Sequence, residues 1–225
     1  MNYNYNNVIW LIEPQFDDAE DFSEGLARVE KDGKWGYVTK EGKLIEPQFD
    51  RVWKFHEGIA RIKKYWKYGY INKDGKFVIE PQFDDAENFS EGLARVKKYG
   101  KYGYINKDGK FVIEPQFDNA ENFSEGLAPV KKDGKWGYVT KEGKIIEPQF
   151  DWVWDFHEGI ARVNISGRIE HGNIIGGKWG YVTKEGKLIE PQFDFAEAFH
   201  EGIARVNIGG RIEHGNIIGG KWGYV

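Results

Sequence analysis

The sequence predicts an all-β fold in which six repeated three-stranded antiparallel meanders close into a β-propeller-like ring. The first supporting observation is repetition, because the motif IEPQF begins at residues 12, 45, 79, 113, 146 and 189. The second is composition, since 16% aromatic residues and 29 glycines in 225 residues suit short strands joined by tight turns. The third is that the two ends of the chain carry complementary fragments of one meander.

The repetition defines a single domain. Successive motifs are 33, 34, 34, 33 and 43 residues apart. The units are residues 12–44, 45–78, 79–112, 113–145, 146–188 and 189–225, and residues 1–11 would complete the last one. The final period is longer because GRIEHGNIIGG is added at Gly167–Gly177, and this segment recurs at Gly210–Gly220. We expect both copies to be extensions of a surface hairpin.

Strand and turn signals follow the same order in every unit. GLARVEK (Gly25–Lys31) and KWGYVTK (Lys34–Lys40) flank Asp-Gly, a strong hairpin signal. KLIEP (Lys43–Pro47) follows a second reversal at Glu-Gly and is expected to end at its proline. The acidic stretch that comes next is expected to link meanders, with at most one helical turn. Pro129 replaces an arginine of the GLARV strand, and because proline lacks an N–H, this strand is predicted to be an edge.

Side-chain alternation predicts how the meanders pack. Trp35 and Tyr37 share one face of their strand, whereas Gly36 and Val38 share the other. We expect the aromatic face of one unit to stack on the small-residue face of the next, because an isolated unit could hide neither face. The aromatic residue before the glycine is therefore predicted to be structural in every unit. Its six copies are Trp35, Tyr68, Tyr102, Trp136, Trp179 and Trp222.

The chain ends predict closure of the ring. The last residues supply GKWGYV without the TKEGKLIEP that follows it elsewhere, and the first residues supply NNVIWLIEP without a preceding GKWGYV. Pairing Val8–Pro14 with Lys221–Val225 would complete one meander and remove an exposed sheet edge. The alternative is an open β-solenoid, although such arrays usually need polar caps.

The recurring DGKWGYVTKEGKLIEPQFD, followed by DAENFSEGLARV or a close variant, resembles the WG-repeat (KWG-repeat) family, which is found mostly in bacterial proteins. The resemblance extends from Ile12 to Val225. Tyr68 and Tyr102 depart from it by standing where the family has tryptophan. The resemblance implies a repeat scaffold for interaction and supplies no catalytic residue.

Composition argues against several classes of function. A formal net charge of -4 gives no electrostatic reason to expect a nucleic acid or an anionic membrane as partner. The chain has no cysteine, no recognised phosphate-binding motif and no nucleophile elbow, so we expect neither an enzyme nor a cofactor. Carboxylates bracket PQF in every unit, and this repetition indicates a structural role. Without a secretory signal pattern, we expect a cytoplasmic protein, with a monomer favoured.

We expect binding residues where the units differ. Trp53, Trp152 and Trp154 replace small or acidic residues of the linking segment and could form a binding surface or fill gaps between units. The inserted segments add Arg168 with His171 and Arg211 with His214. A metal site at the inserted histidines is conceivable, but exposed loop tips are the favoured interpretation. Three further histidines, His56, His157 and His200, occupy the position of a serine in F-S-E-G and are interpreted as hydrogen-bonding turn residues rather than metal ligands.

Two functions follow from these observations. The first is a non-enzymatic scaffold that binds a protein partner across the ring face or along the inserted hairpins. The second is a multivalent carbohydrate-binding module with aromatic pockets between units. A glycan bound at more than one site per chain would distinguish the second function from the first.

Overall fold

The protein is described by a computed structural model that covers residues 10–170, 173–213 and 216–225. These residues form an array of antiparallel β-sheets, one per repeat, and they contain no helix. Consistent with this, no membrane-spanning helix is found among them. The predictions of an all-β fold and of one sheet per repeat are confirmed.

The strands of each sheet are consecutive in the chain, and we number the sheets 1 to 6. Sheet 1 contains β1 (Asp18–Ala19), β2 (Leu26–Lys31), β3 (Lys34–Thr39) and β4 (Leu44–Phe49). Sheet 2 contains β5 (Arg51–Val52), β6 (Ile59–Lys64), β7 (Lys67–Asn72) and β8 (Phe77–Phe83). Sheet 3 contains β9 (Asp85–Ala86), β10 (Leu93–Lys98), β11 (Lys101–Asn106) and β12 (Phe111–Phe117). Sheet 4 contains β13 (Asn119–Ala120), β14 (Leu127–Lys132), β15 (Lys135–Thr140) and β16 (Ile145–Phe150). Sheet 5 contains β17 (Trp152–Val153), β18 (Ile160–Ile165), β21 (Lys178–Thr183) and β22 (Leu188–Phe193), and its inserted segment forms a separate pair, β19 (Arg168–Glu170) and β20 (Asn173–Ile175). Sheet 6 contains β23 (Phe195–Ala196), β24 (Arg205–Glu213) and β25 (Asn216–Tyr224).

The prediction of three strands per sheet is wrong, because sheets 1 to 5 each have four. The additional strand is a two-residue segment of the link, such as Asp18–Ala19, and it pairs antiparallel with β2. Two backbone hydrogen bonds hold it, from Asp17 N–H to Glu30 O at 2.8 Å and from Glu20 N–H to Arg28 O at 3.0 Å. The linking segment is therefore extended, and the possible helical turn does not form.

Both predictions that rested on proline need correction. Strand β4 continues through Pro47 to Phe49, because it is the edge strand of sheet 1 and has no neighbour that requires the missing N–H. Strand β14, which contains Pro129, lies between β13 and β15 and is not an edge. The carbonyl of Pro129 accepts the Glu121 N–H at 2.9 Å, as the arginine carbonyl does in the other sheets. In no described sheet does the N–H of the residue at this position donate a backbone hydrogen bond to the linking segment, so proline removes no ladder bond there.

Two-residue turns of the predicted kind join the second and third strands. In sheet 1, Asp32 and Gly33 have φ values of 53° and 72°, which is the left-handed pair of a type I′ turn. Sheet 2 places Tyr65 and Trp66 there instead, with φ values of 53° and 67°. Both side chains are exposed, Tyr65 by 79% and Trp66 by 82%, so no packing offsets the backbone strain of a non-glycine residue.

We predict that Trp66→Gly stabilises the protein. Glycine relieves the strain of the left-handed backbone, which is worth about 1–2 kcal/mol. The variant also loses the contact of the Lys63 ammonium with the indole, 5.2 Å from the ring centroid, and this loss offsets part of the gain. The free energy of unfolding should rise by about 0.5–1 kcal/mol, measured by urea denaturation. Gly134→Trp, at the same turn position in sheet 4, should lower it by a similar amount. An unchanged midpoint in both variants would contradict the strain argument.

The hydrophobic core lies between successive sheets, as predicted. Tyr37 and Phe49 of sheet 1 form one cluster with Ala60, Ile62 and Ile71 of sheet 2, and the same arrangement recurs along the array. The most buried repeated aromatic is the tyrosine that follows the glycine, because its exposure is at most 1% in five sheets. The aromatic residue before the glycine is less buried, and of its six copies only Trp179 belongs to the core.

Each buried tyrosine also ties its sheet to the next one. The hydroxyl of Tyr138 donates to the Trp154 carbonyl at 2.7 Å, immediately after the short strand of sheet 5. The equivalent bonds join Tyr37 to Trp53, Tyr70 to Glu87, Tyr104 to Glu121 and Tyr181 to Glu197, at 2.6 to 2.8 Å. Burial raises the pKa of the Tyr138 hydroxyl far above its usual value. The residue that follows each two-residue strand thus accepts a hydrogen bond from the preceding sheet.

Ring closure is not observed in the described part of the chain. Strand β25 pairs with β24, and residues 10–16 form no strand. The residues Ile12 and Phe16 pack on Ala27, Val29 and Val38 of sheet 1, which is how the fourth strand of each preceding sheet packs on the next. Residues 8 and 9 of the predicted pairing lie outside the described residues. Closure of the ring therefore stays a prediction.

Candidate functional site: a cleft between the inserted hairpins

The two inserted segments project from sheets 5 and 6 as hairpins, as predicted. A buried asparagine stands at the root of each, Asn164 in β18 and Asn207 in β24, where sheets 1 to 4 have glutamate or lysine. The Asn164 side-chain oxygen lies 2.3 Å from where a Cβ on Gly167 would be, so any other residue there would displace the asparagine side chain. Asn207 has the same relation to Gly210, at 2.2 Å. The asparagine and the glycines therefore position the hairpins together.

A cleft of about 680 Å³ opens beside these hairpins. Isoleucine pairs line it from both, because Ile169 lies opposite Ile174 in one hairpin and Ile212 lies opposite Ile217 in the other. Its floor contains aromatic residues of sheets 5 and 6. They are Trp154, Trp179, Phe195 and Trp222. The volume falls in the range of ligand-binding sites. Most of the lining residues are isoleucine or aromatic, and Glu197, Arg205 and Asn216 add polar surface.

The aromatic residues of the floor form a continuous row. Trp154 and Trp179 lie with ring centroids 4.8 Å apart and planes inclined at 33°. Phe195 is 6.0 Å from Trp179 on one side and 6.0 Å from Trp222 on the other, with its ring nearly perpendicular to that of Trp222. Most of the ring faces are therefore in contact with other side chains, and Trp222 remains 44% exposed.

One ion pair supplies the strongest charges of the cleft. The Arg205 guanidinium donates to both carboxylate oxygens of Glu197, at 3.2 Å and 2.5 Å, and it also lies 4.4 Å from the Trp222 ring centroid. The hydrogen bonds to Glu197 raise the pKa of Arg205, so this residue is always charged. Together with Asn216, the pair gives the cleft polar groups that can orient a ligand.

Of the predicted binding residues, Trp152 and Trp154 are brought together. Both are half-buried, and both line a smaller cleft of about 250 Å³ beside Pro129 and Trp136. In other sheets the arginine at this position donates a hydrogen bond to a carbonyl of the next sheet's short strand, as Arg28 does to the Val52 carbonyl at 3.1 Å. Pro129 cannot do so, and the smaller cleft occupies this position. Trp154 lines the main cleft as well.

The other predicted residues have different placements. Trp53 lies in sheet 2, where the Arg61 guanidinium is 4.1 Å from its ring centroid and the Tyr68 ring is 5.7 Å away, so these contacts lie within its own sheet. Arg168 and Arg211 occupy equivalent exposed positions on the two inserted hairpins. His171 and His214 lie outside the described residues, and a site at these histidines stays a prediction.

Sequence reasoning missed several residues that form the cleft. Glu197 and Arg205 occupy repeated positions, where repetition indicates a structural role. Phe195 stands at the variable position of Trp152, where sheets 1 to 4 have polar residues, and this difference is the signal that could have found it. Ile174 and Ile217 belong to the inserted segments, and they share a face with Ile169 and Ile212 only through the pairing of the hairpin strands.

These features define a tandem-repeat β-sheet protein with an aromatic cleft where two repeats carry insertions. The chain belongs to the WG-repeat family, whose description is "WG containing repeat". The family matches six segments, residues 9–35, 35–65, 68–102, 102–136, 136–168 and 179–211. A comparison with curated protein sequences finds no significant match.

Solved structures give distant matches. The Kluyveromyces lactis Hsv2p structure is 10% identical, with a TM-score of 0.42, and the match covers 85% of this chain and 71% of that one. The Neurospora crassa Pan2 WD40 domain is 13% identical, with a TM-score of 0.37 and coverage of 83% and 70%. A structure described as the eukaryotic initiation factor is 10% identical, with a TM-score of 0.49 and coverage of 82% and 56%.

Proposed function

We propose that the protein is a non-enzymatic scaffold whose repeats hold a binding cleft for a segment of a partner protein. The partner segment inserts a large apolar side chain between the isoleucine pairs of the inserted hairpins. The observation that carries this proposal is the lining of the main cleft, where isoleucines and aromatic rings meet at a single Glu197–Arg205 pair.

The apolar lining supports a protein partner because it resembles the core of a protein–protein interface. Such cores are depleted of charge and rich in aromatic residues, with polar groups at the rim. Ile169 is 55% exposed and Trp222 is 44% exposed, so the cleft offers apolar surface that a partner could cover. Arg205 and Glu197 can orient a peptide group at its edge.

A carbohydrate is the second candidate, and the half-exposed Trp222 favours it. Sugars stack on a free aromatic face, however, and the Arg205 guanidinium lies over the Trp222 ring while Trp154 and Trp179 contact each other. The isoleucine pairs offer a sugar no hydrogen bonds. A protein segment therefore fits the cleft better.

The proposal predicts that short peptides with large apolar residues bind in the cleft. Peptides are selected from a random display library on the full chain, and binding is then measured by the fluorescence of the cleft tryptophans. Ile217→Glu should weaken binding roughly tenfold or more, because it brings an unpaired carboxylate into the apolar contact.

Ile218→Glu is the matched control, because Ile218 is the next residue of β25 and is not among those that line the cleft. It is 42% exposed, so the change should alter affinity by no more than about twofold. A glycan-array experiment covers the second candidate. Glycan binding that is lost in Trp222→Ala, with no peptide enriched, would overturn the proposal.

A further inference from the structure

Two histidines meet between sheets 5 and 6. His157 and His200 occupy the same position in successive sheets, each at the residue before a tight Glu-Gly turn. As predicted, they are turn residues, and their backbones bond to Ile160 and Ile203 across the turn. The three side chains of His157, Glu158 and His200 are exposed, and one potential metal-ligand atom from each lies within 4.8 Å of the others.

The carboxylate of Glu158 is held in a fixed orientation. Its two oxygens accept the backbone N–H groups of Glu201 and Gly202, at 3.1 Å and 3.0 Å. These bonds link the turn of sheet 5 to the turn of sheet 6. Outer hydrogen bonds of this kind orient ligating carboxylates in metal sites.

Glu158 also differs from its counterparts in the other sheets. Glu24, Glu57, Glu91 and Glu125 each pair with a lysine of the next sheet, at 2.7 to 3.0 Å. The ion pairs of the described residues include no lysine or arginine for Glu158, and two imidazoles lie beside it instead. A lysine ammonium therefore lies at this position in sheets 1 to 4, whereas two imidazoles that could bind a metal cation lie here.

We propose that His157, Glu158 and His200 form a binding site for Zn²⁺, with water completing the coordination. Two imidazole nitrogens and one carboxylate oxygen are a ligand set that Zn²⁺ accepts, with ligand distances of about 2.0–2.2 Å. Rotation of the two exposed imidazoles can bring the three atoms from within 4.8 Å to the separation of about 3.3 Å that a tetrahedral site requires, while the Glu158 carboxylate stays in place. The ion would join sheets 5 and 6.

Isothermal titration of untagged full-length protein with Zn²⁺ tests the site, in a buffer that does not chelate metal. We expect saturable binding in the micromolar range, together with an increased melting temperature. His157→Ser and His200→Ser should each weaken binding roughly tenfold or more. Serine occupies this position in sheets 1, 3 and 4, so these variants should fold normally.

His56→Ser is the matched control, because the equivalent residue of the next sheet is Ser90 and no second imidazole is available there. Its affinity for Zn²⁺ should equal that of the unmodified chain. His171→Ser/His214→Ser tests whether the inserted segments bind the ion instead. The proposal is overturned by an absence of binding to the unmodified chain, or by undiminished binding to the His157→Ser and His200→Ser variants.

A variant that creates a second Zn²⁺ site tests the proposal without relying on loss of binding. Ser90→His/Lys107→Gln would place a second histidine beside His56 and Glu57 and remove the lysine that pairs with Glu57 at 2.8 Å. We expect the number of Zn²⁺ ions bound per chain to increase by one. An unchanged stoichiometry would overturn the claim that two such histidines and one glutamate suffice.

Discussion

Tyr138→Ala is expected to lower the free energy of unfolding by about 3–5 kcal/mol, as large-to-small aromatic substitutions in cores do. Tyr138 is fully buried between sheets 4 and 5, where its ring centroid lies 4.9 Å from that of Phe156. Loss of the ring leaves a cavity between two sheets that depend on each other for burial. Chemical denaturation followed by circular dichroism measures the change.

Two further variants separate the contributions of the ring and the hydroxyl. Tyr138→Phe keeps the ring and removes the bond to the Trp154 carbonyl, so it should cost about 1–3 kcal/mol. Trp136→Ala changes a larger residue that is only half-buried, and we expect a smaller loss than for Tyr138→Ala. If Trp136→Ala were the more damaging change, the aromatic residue before the glycine would be the main core residue after all.

The pattern of the repeat was sufficient to predict the array of sheets. Residue alternation in KWGYV and the Asp-Gly turn specify a hairpin, and the two faces of that hairpin specify how sheets stack. Alternation places Trp35 and Tyr37 on one face but does not show how deeply each is buried. Their relative burial depends on the next sheet, where the Trp53 carbonyl accepts a hydrogen bond from the Tyr37 hydroxyl.

The short strands and the sites between sheets could not be predicted from the sequence, for a related reason. A strand of two residues such as Asp18–Ala19 has no periodicity of its own and is defined by its partner strand. The meeting of His157 with His200 depends on the separation of neighbouring turns, which sequence spacing does not supply. The cleft was located in part, because Trp154 and the insertions marked the right sheets, whereas Phe195 and Arg205 are set beside them only by stacking.

The glycine of the WG motif has a different role from the one predicted. Its expected neighbour was a ring from the adjoining sheet, but the closest atoms belong to the fourth strand of its own sheet. A Cβ added to Gly137 would lie 2.3 Å from the Ile146 carbonyl oxygen and 2.8 Å from the Pro148 nitrogen. The register shifts at this point, where β16 approaches β15 closely.

Gly137→Ala should therefore lower the free energy of unfolding by about 1–3 kcal/mol or more, because backbone atoms cannot move aside as a flexible side chain can. Gly223→Ala is the matched control. Gly223 occupies the same motif position in β25, where the described residues supply no fourth strand and none of their atoms lies within 4 Å of the added Cβ. It should be neutral or slightly stabilising, since alanine is favoured over glycine in a strand by about 0.5–1 kcal/mol. Denaturation midpoints of the two variants provide the comparison, and equal midpoints would show that the close approach of the fourth strand does not explain the glycine.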